Sequence, residues 1–186
     1  MKKVGFICEG ETEKLLVDSP RFQQLLATCR LACVTPVLNV KGNGNLLPYN
    51  IEPFRNLLIA NGAEKIIILT DLDEDQCLTF TKDRITHRPD QVICVAVKKI
   101  EAWWLADTPA LSQLLKQHYA FEFPEPENDP FQTIRSLMVQ YAGRGIQSKL
   151  LLATKLLSLG FSLESAAQHP LCPSARYLLD KLRSLG

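Results

Sequence analysis

Short apolar runs that end abruptly in carboxylates constrain this chain more than any other feature. Ile66-Ile67-Ile68-Leu69-Thr70 is followed by Asp71-Leu72-Asp73-Glu74-Asp75, and Val4-Gly5-Phe6-Ile7 by Cys8-Glu9-Gly10-Glu11-Thr12-Glu13. Runs this short, apolar at consecutive positions, read as strands buried on both faces. Strands are expected at 3–8, 34–40, 65–70 and 91–97. Between them, residues 11–30 place apolar side chains at helical spacing, with Pro20 forcing a second helix start near Ser19. Residues 51–62 read as a helix stopped by Asn61-Gly62, and 76–86 as another short one. Strands alternating with helices imply a parallel sheet with right-handed crossovers, whose ligands bind beyond the carboxyl ends of the strands. Both acidic motifs fall at such ends.

From Glu101 onward the pattern becomes helical, over 101–118, 131–142, 147–159 and 174–185. The Pro- and acid-rich stretch 122–130 reads as an exposed loop. The expected organisation is an α/β domain over 1–108 and an α-helical C-terminal region over 109–186 packed on it, the two able to form one structural unit. At 186 residues there is enough chain for one well-buried core. Twenty-one basic and twenty acidic residues nearly cancel, so no global charge draws the chain to nucleic acid or membrane.

Met1-Lys2-Lys3 leads into too short an apolar stretch for a signal peptide, and no run approaches the roughly 20 residues of a membrane span. A cytoplasmic protein is expected. The six cysteines show no CxxC spacing, and Cys29 and Cys33 read as neighbours on a helix, so free buried thiols are expected rather than zinc.

The chemistry follows from Glu9, Asp71 and Asp73 meeting at one sheet edge. Crowded carboxylates repel, and their pKa values rise unless a cation neutralises them. Hard oxygen ligands without Cys or His suit Mg²⁺ or Mn²⁺. Alternation along an extended segment would point Asp71 and Asp73 to one side, and Gly10 would let the backbone turn sharply. Glu11, Glu13, Glu74 and Asp75 have an ordinary explanation as acids in first helical turns.

Glu101, beyond the fourth strand, would reach the same edge, either as a further ligand or paired with Lys98 or Lys99. Trp103 and Trp104 occupy adjacent helical positions and cannot both face one groove, so at least one belongs to the core. Lys41, in the Gly- and Asn-rich loop 41–45, could meet a phosphate, although the loop is not a Walker A motif and reads equally as an ordinary turn. Arg144 and Lys149 flank another turn and either grip phosphates or serve as surface charge.

An apolar strand ending in Glu-Gly, then a later one ending in Asp-x-Asp, resembles the Toprim fold of topoisomerases, primases, recombination proteins and nucleases of the OLD class. Glu9-Gly10-Glu11-Thr12-Glu13, the Gly-rich loop after strand two and Ile100-Glu101-Ala102-Trp103 resemble, more narrowly, the Toprim-like bacterial proteins called DUF4276. Lys149 and the Pro173-Ser174 helix start are similar to that group too. The resemblance implies a Toprim-like sheet with Glu9 as general acid/base or metal ligand and Asp71 and Asp73 as ligands. It implies an Mg²⁺- or Mn²⁺-dependent nuclease; Glu101 would assist, and Lys41, Lys98, Arg144 and Lys149 are the candidates for phosphate contacts. A setting in genome defence belongs to the same implication, and nucleic acid and a partner ATPase encoded elsewhere are the candidate partners. No tyrosine stands where a topoisomerase nucleophile would. The alternative is a non-catalytic Toprim-like module acting with a partner protein.

Overall fold

A computed structural model describes residues 1–186. Four parallel strands form one sheet: β1 (Lys2–Cys8), β2 (Leu31–Asn39), β3 (Lys65–Asp71) and β4 (Gln91–Ala96), in the spatial order β2-β1-β3-β4. This is the α/β sheet that the apolar runs predict. The chain leaves β1 for one side of the sheet to form β2, then crosses back to form β3 on the other. The reversal opens a crevice between the carboxyl ends of β1 and β3, where ligands of open α/β sheets bind.

Helix α1 (Glu11–Asp18) gives way to α2 (Pro20–Thr28) at Ser19, whose hydroxyl accepts the Phe22 N–H at 3.3 Å. Helix α3 (Pro48–Ala60) follows a short 3₁₀ turn and ends where Gly62 takes φ +92°. Helix α4 (Leu78–Ile85) precedes β4. The predicted helix over 101–118 is two helices, α5 (Glu101–Ala106) and α6 (Thr108–Leu115), because Asp107 caps the second and Pro109 cannot continue the first. Helices α7 (Pro130–Ala142), α8 (Lys149–Ser158) and α10 (Pro173–Leu185) lie as expected, and a six-residue helix, α9 (Leu163–Gln168), joins the last two. No helix is long and apolar enough to cross a membrane.

Alternation along the strands divides the interior in two. Val4, Phe6, Cys8, Ile67, Leu69, Cys94 and Ala96 face a core of 38 buried residues shared with α1, α2, α5 and the C-terminal helices. Ile7, Ile66, Ile68, Ile93 and Val95 face a smaller one of 11, closed by α3 and α4. The helices after residue 108 therefore share their core with β1 and α1. On the smaller face Gly5 is required by close approach: a Cβ there would stand 2.9 Å from Leu58 Cδ1 of α3. Two sequence expectations are corrected here. Cys33 lies on β2 and not on a helix with Cys29, because the helix stops at Thr28. The 122–130 stretch is not wholly exposed, since Pro124 and Glu125 are buried.

One buried side chain ties two of the C-terminal helices together. Asp107 is 1% exposed and accepts the Ala110 N–H at 3.1 Å, the Ser162 N–H at 2.8 Å and the Ser165 hydroxyl at 3.0 Å. It caps α6 and fastens the start of α9. Asp107→Ala strands these buried donors and is expected to cost about 2–4 kcal/mol in denaturant unfolding at an unchanged m-value. A loss below about 1 kcal/mol would contradict this role.

Candidate metal centre

Parallel register brings the two acidic motifs together. Cys8 lies opposite Leu69, and the Glu9 N–H extends the ladder by donating to the Leu69 carbonyl at 2.9 Å. Glu9 and Asp71 thus emerge side by side. Thr70 donates its hydroxyl to Glu9 Oε2, and the Asp71 N–H reaches the same oxygen at 3.2 Å. Asp71 Oδ1 accepts the Ile100 N–H at 2.8 Å, which ties the β3 carboxylate to the turn after β4.

Asp73 reaches the same cavity by a different route from the one its spacing predicts. The strand ends at Asp71, and Asp73 sits in the left-handed region at φ +46°, its N–H on the Lys98 carbonyl at 2.9 Å. Gly10 is likewise no conformational hinge, being extended at φ −134°. A Cβ there would stand 2.9 Å from Glu13 Oε2, so a side chain at position 10 would push the Glu13 carboxyl aside.

The cavity, of about 430 Å³, is lined by Glu9, Glu11, Glu13, Asp71, Asp73 and Glu101, with Lys41, Lys99 and Lys149 among them; no lining residue is hydrophobic. Six carboxylates against three ammonium groups leave an excess of negative charge. Lys98 and Arg144 do not line it; Lys98, at φ +59°, turns away and Lys99 takes its place. Asn39, Thr12 and the Gly42 backbone complete the rim. Trp103 and Trp104 are both fully buried, Trp104 packed edge-on against Phe161 at 4.2 Å, so neither is a base-stacking platform.

Two buried carboxylates are the centre of the site. Glu101 is 1% exposed; its Oε1 pairs with Lys149 Nζ at 3.0 Å and its Oε2 has no partner. That answers the choice left by the sequence: the partner is Lys149, from α8, and not Lys98 or Lys99. Glu13, read from sequence as a first-turn acid, is 5% exposed. Burial pushes its carboxyl up to about 7; backbone N–H groups at the helix start oppose that, while Glu101 and Glu9 add to it. Asp71 is raised well above the usual carboxylate range, first by burial and then by Glu13, Glu101, Glu9 and Asp73. Burial lowers the Lys149 ammonium, but Glu101, Asp71 and Glu13 outweigh it, and the net shift is upward.

These features fit a hard divalent cation: an unpartnered buried oxygen, all-oxygen donors, and two carboxyls, Glu13 and Asp71, raised by burial and by neighbouring carboxylates. No three of the side chains stand at ready ligating spacing, so binding would draw them together.

The pH dependence has a definite sign. Glu13 binds its proton more tightly in the folded chain than at its ordinary 4.5, so metal-free protein loses stability as pH rises from about 4.5 to about 7. Urea unfolding of metal-free wild type is expected to show that decline and Glu13→Gln to make it shallower, the raised Asp71 carboxyl supplying the remainder. Parallel slopes for the two proteins would remove Glu13 as the source.

No family model and no curated protein matches the chain, so the narrower DUF4276 resemblance stays an expectation of the sequence. Among solved structures, the chain is similar to the C-terminal region of the Burkholderia pseudomallei OLD protein. The two are 14% identical, with 99% of this chain and 98% of that chain covered and a TM-score of 0.49.

Proposed function

We propose that this chain is a Toprim-like, divalent-metal-dependent phosphodiesterase, with Mg²⁺ or Mn²⁺ as its ion and nucleic acid as its substrate. The observation that carries this reading is the unpartnered Glu101 Oε2, buried on the wall of a cavity with Glu9, Glu13, Asp71 and Asp73. A bound ion would neutralise these carboxylates, polarise a phosphodiester and lower the pKa of a water. An apolar small molecule fits poorly, because ligand pockets for such molecules have mainly hydrophobic walls and this one has none.

In this reading Glu9, Asp71 and Asp73 hold the ion, with Glu101 completing the set. Thr70 and the Asp71 N–H fix Glu9 Oε2, leaving its other oxygen free to turn inward. Glu13, in the cavity wall beside these carboxylates, is suited to take a proton from an attacking water. Lys149, half-exposed and held against Glu101, and Lys99 and Lys41 on the rim supply charge for phosphate oxygens. Six free thiols support a reducing, cytoplasmic setting.

A second reading, the non-catalytic module or partner-dependent enzyme, draws support from the absence of three carboxylates at ligating spacing. A partner ATPase could close the cavity in that case.

The test is a Mn²⁺ titration of wild type and of Asp71→Asn/Asp73→Asn, then cleavage of single- and double-stranded DNA and RNA by each. Saturable binding and cleavage are expected for wild type. In the variant the affinity should fall by more than the roughly 10–100-fold typical of outer-shell changes, and cleavage should vanish. Binding without cleavage favours the module, and no binding by wild type ends the metal-centre reading.

A further inference from the structure

One buried network outside the cavity holds the segment that carries two of its charged groups, Lys99 and Glu101. Glu125, in the Pro-rich stretch between α6 and α7, is 5% exposed. Its Oε1 accepts the Ser174 N–H at 2.8 Å and the Ser174 hydroxyl at 2.5 Å. The same Ser174 oxygen accepts the Trp103 indole N–H at 2.7 Å and the Val97 N–H at 3.4 Å. One hydroxyl at the start of α10 therefore touches both ends of the 97–103 segment and uses its full capacity, one donor and two acceptors.

Between those ends lie the groups that reach the site. The Lys98 carbonyl takes the Asp73 N–H, and the Ile100 N–H holds Asp71 Oδ1. Lys99 and Glu101 line the cavity. Lys98, at φ +59°, gives the segment its sharp turn, a conformation that surrounding contacts must maintain. Helix α5 begins without a side-chain cap of its own.

We propose that Ser174, oriented by Glu125, is a positioning residue of the acidic site, fixing the 97–103 segment so that Ile100 holds Asp71 and Glu101 stays in the cavity wall. This rests on the metal-centre reading for its functional consequence but not for its structural one. Neither residue touches the cavity. Their effect passes through Val97 and Trp103.

The test uses the full-length chain as Ser174→Ala, Glu125→Gln and, as a control, Asp107→Ala, which loosens caps elsewhere. The first readout needs no metal: amide hydrogen exchange at Ile100 and the Trp103 indole N–H resonance. In Ser174→Ala the Ile100 amide should exchange at least about tenfold faster and the indole resonance should move upfield, with β1 and β3 amides unchanged. Glu125→Gln retains an acceptor at Oε1 and should give a smaller change in the same direction. The second readout is Mn²⁺ affinity well below each variant's melting temperature, expected to fall about 10–100-fold in Ser174→Ala and to hold in Asp107→Ala.

Unchanged Ile100 exchange in a folded Ser174→Ala protein overturns the inference. So does faster exchange with wild-type Mn²⁺ affinity, or an equal loss of affinity in Asp107→Ala. Should wild type bind no Mn²⁺, the metal-centre reading fails and the exchange data alone decide whether Ser174 fixes the segment.

Discussion

The site depends first on the parallel pairing of β1 with β3. Parallel neighbours end at the same edge of a sheet, and here Cys8 lies beside Leu69, so the next residues out are Glu9 and, two beyond Leu69, Asp71. An antiparallel pairing would have sent the two acidic motifs to opposite edges. The backbone bond from Glu9 to Leu69 carries the ladder one residue past the strand, and the bond from the Asp71 N–H to Glu9 Oε2 locks the two motifs together. The third contributor, the β4–α5 turn, is brought in by the β3–β4 register, which sets Asp71 opposite Ala96.

That juxtaposition has an electrostatic cost. Glu13, Asp71 and Glu101 are buried near one another with one ammonium, Lys149, in direct contact with the cluster. Burial first, and then the neighbouring carboxylates, raise the Glu13 and Asp71 carboxyls, so both favour their protonated forms. Core packing does not require such a group of acids, since the two apolar clusters on either face of the sheet are complete without it. Perturbed carboxylates gathered at the switch point of an α/β sheet fit a site selected for chemistry better than one selected for stability.

Much of this was legible in the sequence, for reasons particular to each element. The boundary between an apolar run and a carboxylate marks a strand end, and Glu9 and Asp71 were found that way. Asp73 reached the cavity although the extended alternation assigned to it ends one pair too early; its left-handed φ does what alternation was expected to do. Lys98 and Lys99 exchanged roles for the same reason, since a residue at φ +59° breaks the parity of side-chain directions. Glu13 was hidden because an acid in a first helical turn ordinarily needs no explanation beyond the macrodipole. Glu125 was hidden because Pro and acid together signal a solvated loop, whereas its carboxylate caps a helix start 49 residues away. The expectation that at least one tryptophan belongs to the core is met by both, because α5 has no exposed face, all six of its residues being buried.

The network through Ser174 also sets an order of assembly during synthesis. The β4–α5 turn and the hydroxyl that grips it are 77 residues apart. At roughly 5–20 residues per second, the ribosome makes Val97 about 4–15 s before Ser174. Throughout that interval the strands, Glu9, Asp71 and Asp73 already exist, but the turn bearing Glu101 lacks its Ser174 anchor. The acidic cluster is thus closed late, by a helix that supplies none of its carboxylates, and a nascent chain carries the charges of the site before it has the site's geometry.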